Sequence, residues 1–262
     1  MPIIKTQNGY IYKKTTKQTS RGRALFVFAL FLVSIIAVCA VLFAFARVDV
    51  TSALKLNKYQ IFSQTNYYAV SVASGESFAD VSADADMLKL ADGAGFVFKQ
   101  NGKYYLVASI YSASADANSV AQNIVDYQCQ VVNIPLKNLI INQSLSASQI
   151  NALKYALQLV NRAHQTLTNI VQAFDKSEIL DTEARQKLQV FRETCQLDKQ
   201  NFDLAFQNNY ESIVTRAKIF QAEVISSISA LLISKNLSSD IKYAICGTIS
   251  SFCTLQNSVT KN

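Results

Sequence analysis

The chain has 262 residues, half of them hydrophobic and 16% charged, with only 2 prolines and 7 glycines. This length and composition exclude a disordered, collagen-like or low-complexity protein and allow one or two domains with a substantial core. The formal net charge is +7, but residues 47–262 hold 19 basic and 18 acidic side chains. That near balance excludes the positive field expected of a nucleic-acid-binding protein.

An apolar run without charges over residues 24–46 is the first predicted element. As a helix it would reach about 34 Å, enough to cross a hydrocarbon core. The 23 residues before it contain basic but no acidic side chains, which predicts a cytoplasmic amino terminus and an extracytoplasmic remainder. We therefore expect a single-pass protein of the cell membrane. The alternative is a cleaved signal peptide, because Ala44-Phe45-Ala46 has the small-x-small form of a cleavage site.

Four strands and two helices are predicted next, in the order βαββαβ. The predicted segments are strand 67–73, helix 78–90, strands 96–99 and 104–111, a helix opening at 114, and strand 129–134, ended by Pro135. Ser77, with Asp80 three residues later, predicts the start of the first helix. Asn101-Gly102 is typical of a type I′ hairpin turn between the second and third strands. This order is the split βαβ, ferredoxin-like arrangement, with two helices on one face of an antiparallel sheet.

The residues of this stretch resemble the SPOR (sporulation-related) domain family, βαββαβ modules of bacterial cell-envelope proteins. The resemblance covers about residues 66–136. The matching motifs are Tyr67-Tyr68, Gly93-Ala94-Gly95-Phe96, the run Gly102-Lys103-Tyr104-Tyr105-Leu106-Val107-Ala108-Ser109, and Asp116-Ala117-Asn118. It implies an extracytoplasmic domain that binds peptidoglycan glycan strands stripped of stem peptides, often behind an amino-terminal anchor.

The same resemblance implies that glycan binds on the open face of the sheet. A polar residue of the family's first strand falls on Ser71, and an arginine-like place falls on Tyr105. Strand alternation points Val70, Val72, Leu106 and Ala108 toward the helices. The candidate glycan-binding residues on the other face are Tyr67, Ser71, Tyr105, Val107, Ser109 and Tyr111. The alternative is that the helical segment covers this face and makes its tyrosines core.

After Pro135 the hydrophobic period changes from two to three and four, which predicts helices. The most regular seam is Ile150, Leu153, Leu157, Val160, His164, Leu167, Val171 and Phe174. Later stripes predict three more helices and an antiparallel three- or four-helix bundle or hairpin module. Asp198 interrupts the second stripe, so a surface that dimerises or docks a protein partner remains an equal alternative.

Catalytic chemistry is not indicated. The single histidine, His164, lies in the seam with no acid or nucleophile placed beside it by any motif. No metal-binding or nucleotide-binding motif is found, so neither a cofactor nor a metal is expected. Cys129, Cys195, Cys246 and Cys253 have no framework spacing, and their disulfide status stays open.

The sequence therefore predicts an α+β, non-enzymatic, single-pass envelope protein. Its predicted parts are a basic cytoplasmic tail (1–23), a transmembrane helix (24–46), a juxtamembrane linker (47–65), a SPOR-like domain (66–136) and a helical module (147–262). The expected partners are peptidoglycan glycan strands, the cytoplasmic membrane, and a protein partner or second copy bound by the helices. The resemblance implies placement at sites of cell division or sporulation. The alternative function is a membrane-anchored protein-interaction scaffold that does not bind glycan.

Overall fold

Six strands and eight helices make up the part of the chain that the computed structural model describes, namely residues 58–125, 127–142, 144–207 and 211–259. The strands are β1 (Lys58–Phe62), β2 (Thr65–Gly75), β3 (Phe96–Gln100), β4 (Lys103–Tyr111), β5 (Gln130–Leu136) and β6 (Leu139–Asn142). The helices are α1 (Phe78–Ser82), α2 (Ala85–Leu90), α3 (Ser114–Asn123), α4 (Ala147–Leu157), α5 (Leu159–Asp175), α6 (Asp181–Ala205), α7 (Ser212–Leu231) and α8 (Leu237–Val259). The described residues belong to one compact unit.

The membrane part of the predicted fold class and localisation is corrected. Among the described residues, no helix combines the length and the apolar character needed to cross a bilayer. The predicted tail (1–23), the predicted transmembrane helix (24–46) and the alternative cleavage site after Ala46 all lie outside the described residues. The α+β part of the predicted fold class agrees with the described residues.

Four antiparallel strands form the main sheet in the order β3-β4-β2-β5, with the helices α1 to α3 in the two crossovers. This is the order of a ferredoxin-like βαββαβ sheet. The hairpin at Asn101-Gly102 is confirmed: both residues have positive φ, 51° and 84°, as a type I′ turn requires. Pro135 does not end the last strand but pairs with Asn66 inside β5. Proline is tolerated there because β5 is an edge strand.

A second sheet was not predicted. It consists of β1 and β6, paired antiparallel from Lys58 opposite Asn142 to Phe62 opposite Leu139. Part of the segment predicted to be a linker is therefore a strand. Phe62 and Leu139 are almost fully buried, and they join the large core that the helices build.

The first crossover contains two short helices where one helix over 78–90 was predicted. The Ser77 hydroxyl accepts a hydrogen bond from the Asp80 backbone N–H at 3.2 Å, which confirms this cap. The helix stops after Ser82, and Asp84, with ψ near 5°, leads into α2. Serine and aspartate favour such breaks because their side chains compete for nearby backbone groups.

The two faces of the main sheet belong to different cores. Val72, Leu106 and Ala108 pack with Val81 of α1 and Leu88 of α2 in a small cluster. The opposite face packs against helices α4 to α8 in the large cluster. The main-sheet residues of this cluster are Tyr67, Ala69, Phe98, Val107, Ile110, Ile134 and Leu136. The helical segment therefore covers the face that was predicted to be open, which agrees with the alternative interpretation of the sequence.

The helical segment is an antiparallel bundle whose predicted seam is internal. Ile150, Leu153, Leu157, Val160, His164, Leu167 and Val171 are all buried, and Phe174 is partly buried against the same core. The seam is divided between α4 and α5, with a turn at Gln158. Asp198, which interrupts the stripe of α6, forms an ion pair with Arg162 of α5 at 2.8 Å.

Candidate binding surfaces

The face predicted to hold glycan lies mostly in the interior. Tyr67, Ser71 and Val107 are 2%, 0% and 0% exposed. The Tyr67 hydroxyl donates a hydrogen bond to Asn161 Oδ1 at 2.7 Å, and burial raises the pKa of Tyr67. These three side chains have no solvent-facing surface with which to meet a glycan strand.

Local structure explains the position of Ser71. The pairing of β2 with β4 is irregular on both sides of Ser71, where the register shifts. The Ser71 hydroxyl donates a hydrogen bond to the Ala73 carbonyl at 2.8 Å. Its polarity is therefore satisfied within β2. Tyr105, the next candidate along the sheet, is half-buried and packs against the large core.

His164 fastens α5 to the sheet. Its Nε2 lies 3.2 Å from the Ile110 carbonyl oxygen, which must accept, so this nitrogen carries the proton. Its ring lies 4.7 Å from the ring of Tyr67. Burial lowers the pKa of His164, although the hydrogen bond to Ile110 opposes this. The imidazole therefore favours its neutral form in the interior.

The four cysteines of the described residues are free thiols. Burial raises the pKa of Cys195 to about 12 and that of Cys253 to about 11, and it raises the pKa of Cys246 as well. Such thiols stay protonated and are poor nucleophiles. Within the described residues, no group of three His, Cys, Asp or Glu side chains is arranged to hold a metal ion.

Two of the predicted residues, Ser109 and Tyr111, line a cleft of about 360 Å³ between α2 and α3. Burial raises the pKa of Tyr111, a hydrogen bond from Ser109 lowers it, and the carboxylates of Asp116 and Asp175 raise it further. The cleft therefore has a polar end with negative charges close to it. Its other lining residues are Leu88, Ala91, Asp92, Gly93, Ala108, Val120, Asn123, Ile124, Val125, Tyr127 and Lys242.

Small residues leave this cleft open. Ala91, Gly93 and Ala108 lie where longer side chains would fill the space between the helices. Gly93 has a second reason to be glycine, because a Cβ there would lie 2.6 Å from Leu88 Cγ. The hollow is thus built into the turn between α2 and β3.

The cation in the cleft wall is already engaged. Lys242 Nζ lies 2.8 Å from Asp175 Oδ2, 3.0 Å from the Asp92 carbonyl and 3.0 Å from Ser238 Oγ. An ammonium group has three N–H donors, and these three acceptors use them all. Lys242 ties α8 to α5 and to the turn after α2, so it offers little to an anionic ligand.

The outer face of α6 is the second surface of interest. Val190, Leu197 and Leu204 are spaced seven residues apart and are 58%, 61% and 65% exposed. On a helix this spacing places them in one straight row. A groove of about 450 Å³ begins beside Val190 and Phe191 and runs toward Thr166 of α5. We call the row and this groove the α6 face.

This exposed row was not predicted from the sequence, which indicated only the buried stripe of α6. The signal was present, because valine, leucine and leucine recur every seven residues on the side opposite the buried residues. The buried residues of α6 are Ala184, Leu188, Phe191, Cys195 and Phe202. When a helix has apolar residues on two opposite sides, one side packs in the core and the other is a candidate interaction surface.

No protein-family model, no curated protein and no solved structure matches this chain. The class that the fold defines is an α+β protein in which a ferredoxin-like sheet and a helical bundle share one core. The SPOR resemblance still rests only on the motifs quoted above. The expectations of a membrane protein, of peptidoglycan binding and of a place in cell division or sporulation find no support in the described residues or in these comparisons.

Proposed function

We propose that residues 57–262 form a non-catalytic protein-interaction scaffold that pairs, through the α6 face, with a second copy of this chain. The observation that carries the proposal is the row Val190, Leu197 and Leu204. Three exposed aliphatic side chains along one side of a helix form an apolar line in contact with solvent, and such a line favours contact with another protein surface. The rigid sheet and bundle behind α6 would hold this row in place.

A second copy is favoured because the row is symmetric about Leu197. In an antiparallel pair of α6 helices, Leu197 would lie opposite its own copy, and Val190 would lie opposite Leu204. The row spans about 21 Å, roughly four turns. A two-fold pair of this kind closes on itself and needs no further partner.

A role in binding also agrees with the state of the reactive side chains. His164 is neutral and buried against the sheet, and the thiols of Cys195 and Cys246 are protonated. None of them is poised as a general base or nucleophile near a cleft. The state of these side chains therefore favours a role in binding over a role in catalysis.

Sedimentation velocity of the full chain over a range of concentrations tests the pairing. We expect a dimer for the wild type and a monomer for Leu197→Glu, because a carboxylate at the centre would be desolvated opposite its own copy. The matched control is Ile219→Glu on α7, which also changes an exposed aliphatic helix residue (45% exposed) and should remain dimeric. A monomeric wild type, or a dimeric Leu197→Glu variant, would refute the proposal.

A further inference from the structure

The outer surface of α1 and α2 combines exposed apolar side chains with unpaired negative charge. Phe78, Met87 and Leu90 are 57%, 64% and 80% exposed. Met87 and Leu90, three residues apart in α2, share one side of that helix. Large apolar side chains that are grouped and exposed in this way are typical of an interaction surface.

The segment that carries these apolar residues is also acidic. Residues 76–92 carry five exposed acidic side chains, and none of them forms an ion pair within the described part of the chain. They are Glu76, Asp80, Asp84, Asp86 and Asp92. The one basic residue of the segment, Lys89, has its ammonium group 4.3 Å from the centre of the Tyr243 ring and is thus engaged with α8.

The cleft between α2 and α3 continues this surface. Asp92 lines it on the α2 side, and Val125, 91% exposed, stands on the other wall. The cleft ends at Tyr111, close to the carboxylates of Asp116 and Asp175. Asp175 is paired with Lys242, so this pair contributes little net charge. Among the described residues, the carboxylates beside the cleft that form no ion pair are those of Asp92 and Asp116. A positively charged side chain in the cleft would meet these carboxylates and the rings of Tyr111 and Tyr127.

We propose that the surface of α1 and α2, together with the adjoining cleft, binds a basic amphipathic segment of a partner protein. The apolar side chains of the segment lie on Phe78, Met87 and Leu90, its lysines or arginines face the carboxylates of residues 76–92, and one of them enters the cleft. The charge selects the partner class, because the same carboxylates repel nucleic-acid phosphates and anionic lipid headgroups. This surface is separate from the α6 face, so either proposal can fail alone.

Binding of a labelled probe to the full chain tests the proposal. The probe is a short helical peptide of lysine and leucine carrying fluorescein, and its counterpart has glutamate in place of lysine. In fluorescence anisotropy the lysine peptide should bind saturably and more weakly as salt rises, and the glutamate peptide should not bind. Failure of the lysine peptide to bind saturably would overturn the proposal.

Matched variants locate the binding. Asp84→Asn with Asp86→Asn should weaken binding of the lysine peptide by about fivefold, since each surface charge contributes a modest amount. The control is Glu178→Gln with Glu223→Gln, which has the same net charge, removes exposed carboxylates elsewhere and should bind like the wild type. Equal weakening in both pairs would mean general attraction and would overturn the proposal.

The apolar contribution has its own pair of variants. Met87→Gln with Leu90→Gln should weaken binding by about tenfold or more, because two exposed aliphatic contacts are lost. Glutamine is a good helix former, so α2 should persist, and circular dichroism checks this. Ile219→Gln with Ile233→Gln is the matched control and should not change binding. An unchanged affinity in the Met87 and Leu90 variant would also refute the proposal.

Discussion

At the scale of single residues, His164 shows how a polar group can serve the interior. Its imidazole joins α5 to the sheet by one hydrogen bond to Ile110 and one ring contact with Tyr67. Both contacts are made by the neutral form. A proton added to this ring would place a positive charge in the core with no acidic partner, which is costly.

This position predicts a pH-dependent stability. The folded pKa of His164 lies below its unfolded value, so the unfolded state binds the proton more readily. The full stability is present above the unfolded pKa of about 6.5 and is lost as pH falls below it toward the folded pKa. Thermal unfolding should therefore occur at a lower temperature at pH 5 than at pH 7.5.

The chain has one histidine, so the variant His164→Gln isolates this effect. Glutamine keeps an N–H donor for the Ile110 carbonyl but does not titrate. In this variant the unfolding temperature should depend much less on pH between 7.5 and 5 than in the wild type. Circular dichroism measures the unfolding temperature of both proteins. The same fall in unfolding temperature in both proteins would contradict the assignment to His164.

At the scale of the elements, two polar contacts hold helices to their neighbours. Gln256 of α8 accepts from the Lys137 N–H and donates to the Lys137 carbonyl, which fastens α8 to the turn between β5 and β6. Arg162 of α5 pairs with Asp198 of α6 and also lies over the ring of Tyr155 at 3.9 Å. Each contact satisfies polar groups that the packing of helices would otherwise desolvate.

The ion pair between α5 and α6 gives a test at this scale. The side chains of Arg162 and Asp198 are 27% and 12% exposed. Asp198→Asn should lower the free energy of unfolding by about 1–2 kcal/mol, because Arg162 keeps its charge without its partner. Urea unfolding measures this loss.

An exposed ion pair of the same helix serves as the control. Glu183 and Lys187 are 48% and 50% exposed and lie 3.3 Å apart at their charged atoms. Glu183→Gln should change the free energy of unfolding by less than about 0.5 kcal/mol, as is usual for surface pairs. Equal losses in the two variants would show that Asp198 acts like a surface charge.

At the scale of the whole molecule, the sheet and the helices depend on each other. Tyr67, Val107 and Ile134 of the sheet share one apolar cluster with the bundle residues Leu167, Ile249 and Phe252. Neither part can be removed without exposing the core side of the other. Exposure of such a face costs roughly 25 cal/mol for each Å² of apolar surface.

Residues 58–259 should therefore unfold as one cooperative unit. In urea, circular dichroism of the helices and tyrosine absorbance of the sheet should give coincident transitions. A fragment of residues 58–142 should fail to give the dispersed amide spectrum of a folded domain in NMR. A folded fragment, or two separate transitions, would contradict this prediction.

Several local elements could be predicted from neighbouring residues alone, because their signals act over a few residues. The Ser77 cap, the Asn101-Gly102 hairpin and the periodic stripes of the helices required only neighbouring side chains and backbone geometry.

Period-two alternation put Tyr67, Tyr105 and Val107 on one face of the sheet, as the structure has them. It put Ser109 and Tyr111 on that face as well, which is wrong, because they line the cleft beside α2 and α3 together with Ala108. It could not say which face meets solvent, since both faces carry side chains that suit a core.

Whether the residues of the candidate site are buried or exposed depends on tertiary packing. Tyr67 and Val107 are buried because the bundle, far along the chain, covers them, whereas Ser109 and Tyr111 line the cleft beyond the β2–β4 irregularity. From the sequence, Asp198 was an interruption of an apolar stripe. In the structure it forms an ion pair with Arg162 of the neighbouring helix. Val190, Leu197 and Leu204 were not singled out from the sequence, and only the packing of α6 shows that they are exposed. Burial depends on contacts between distant segments, and no local pattern specifies those contacts.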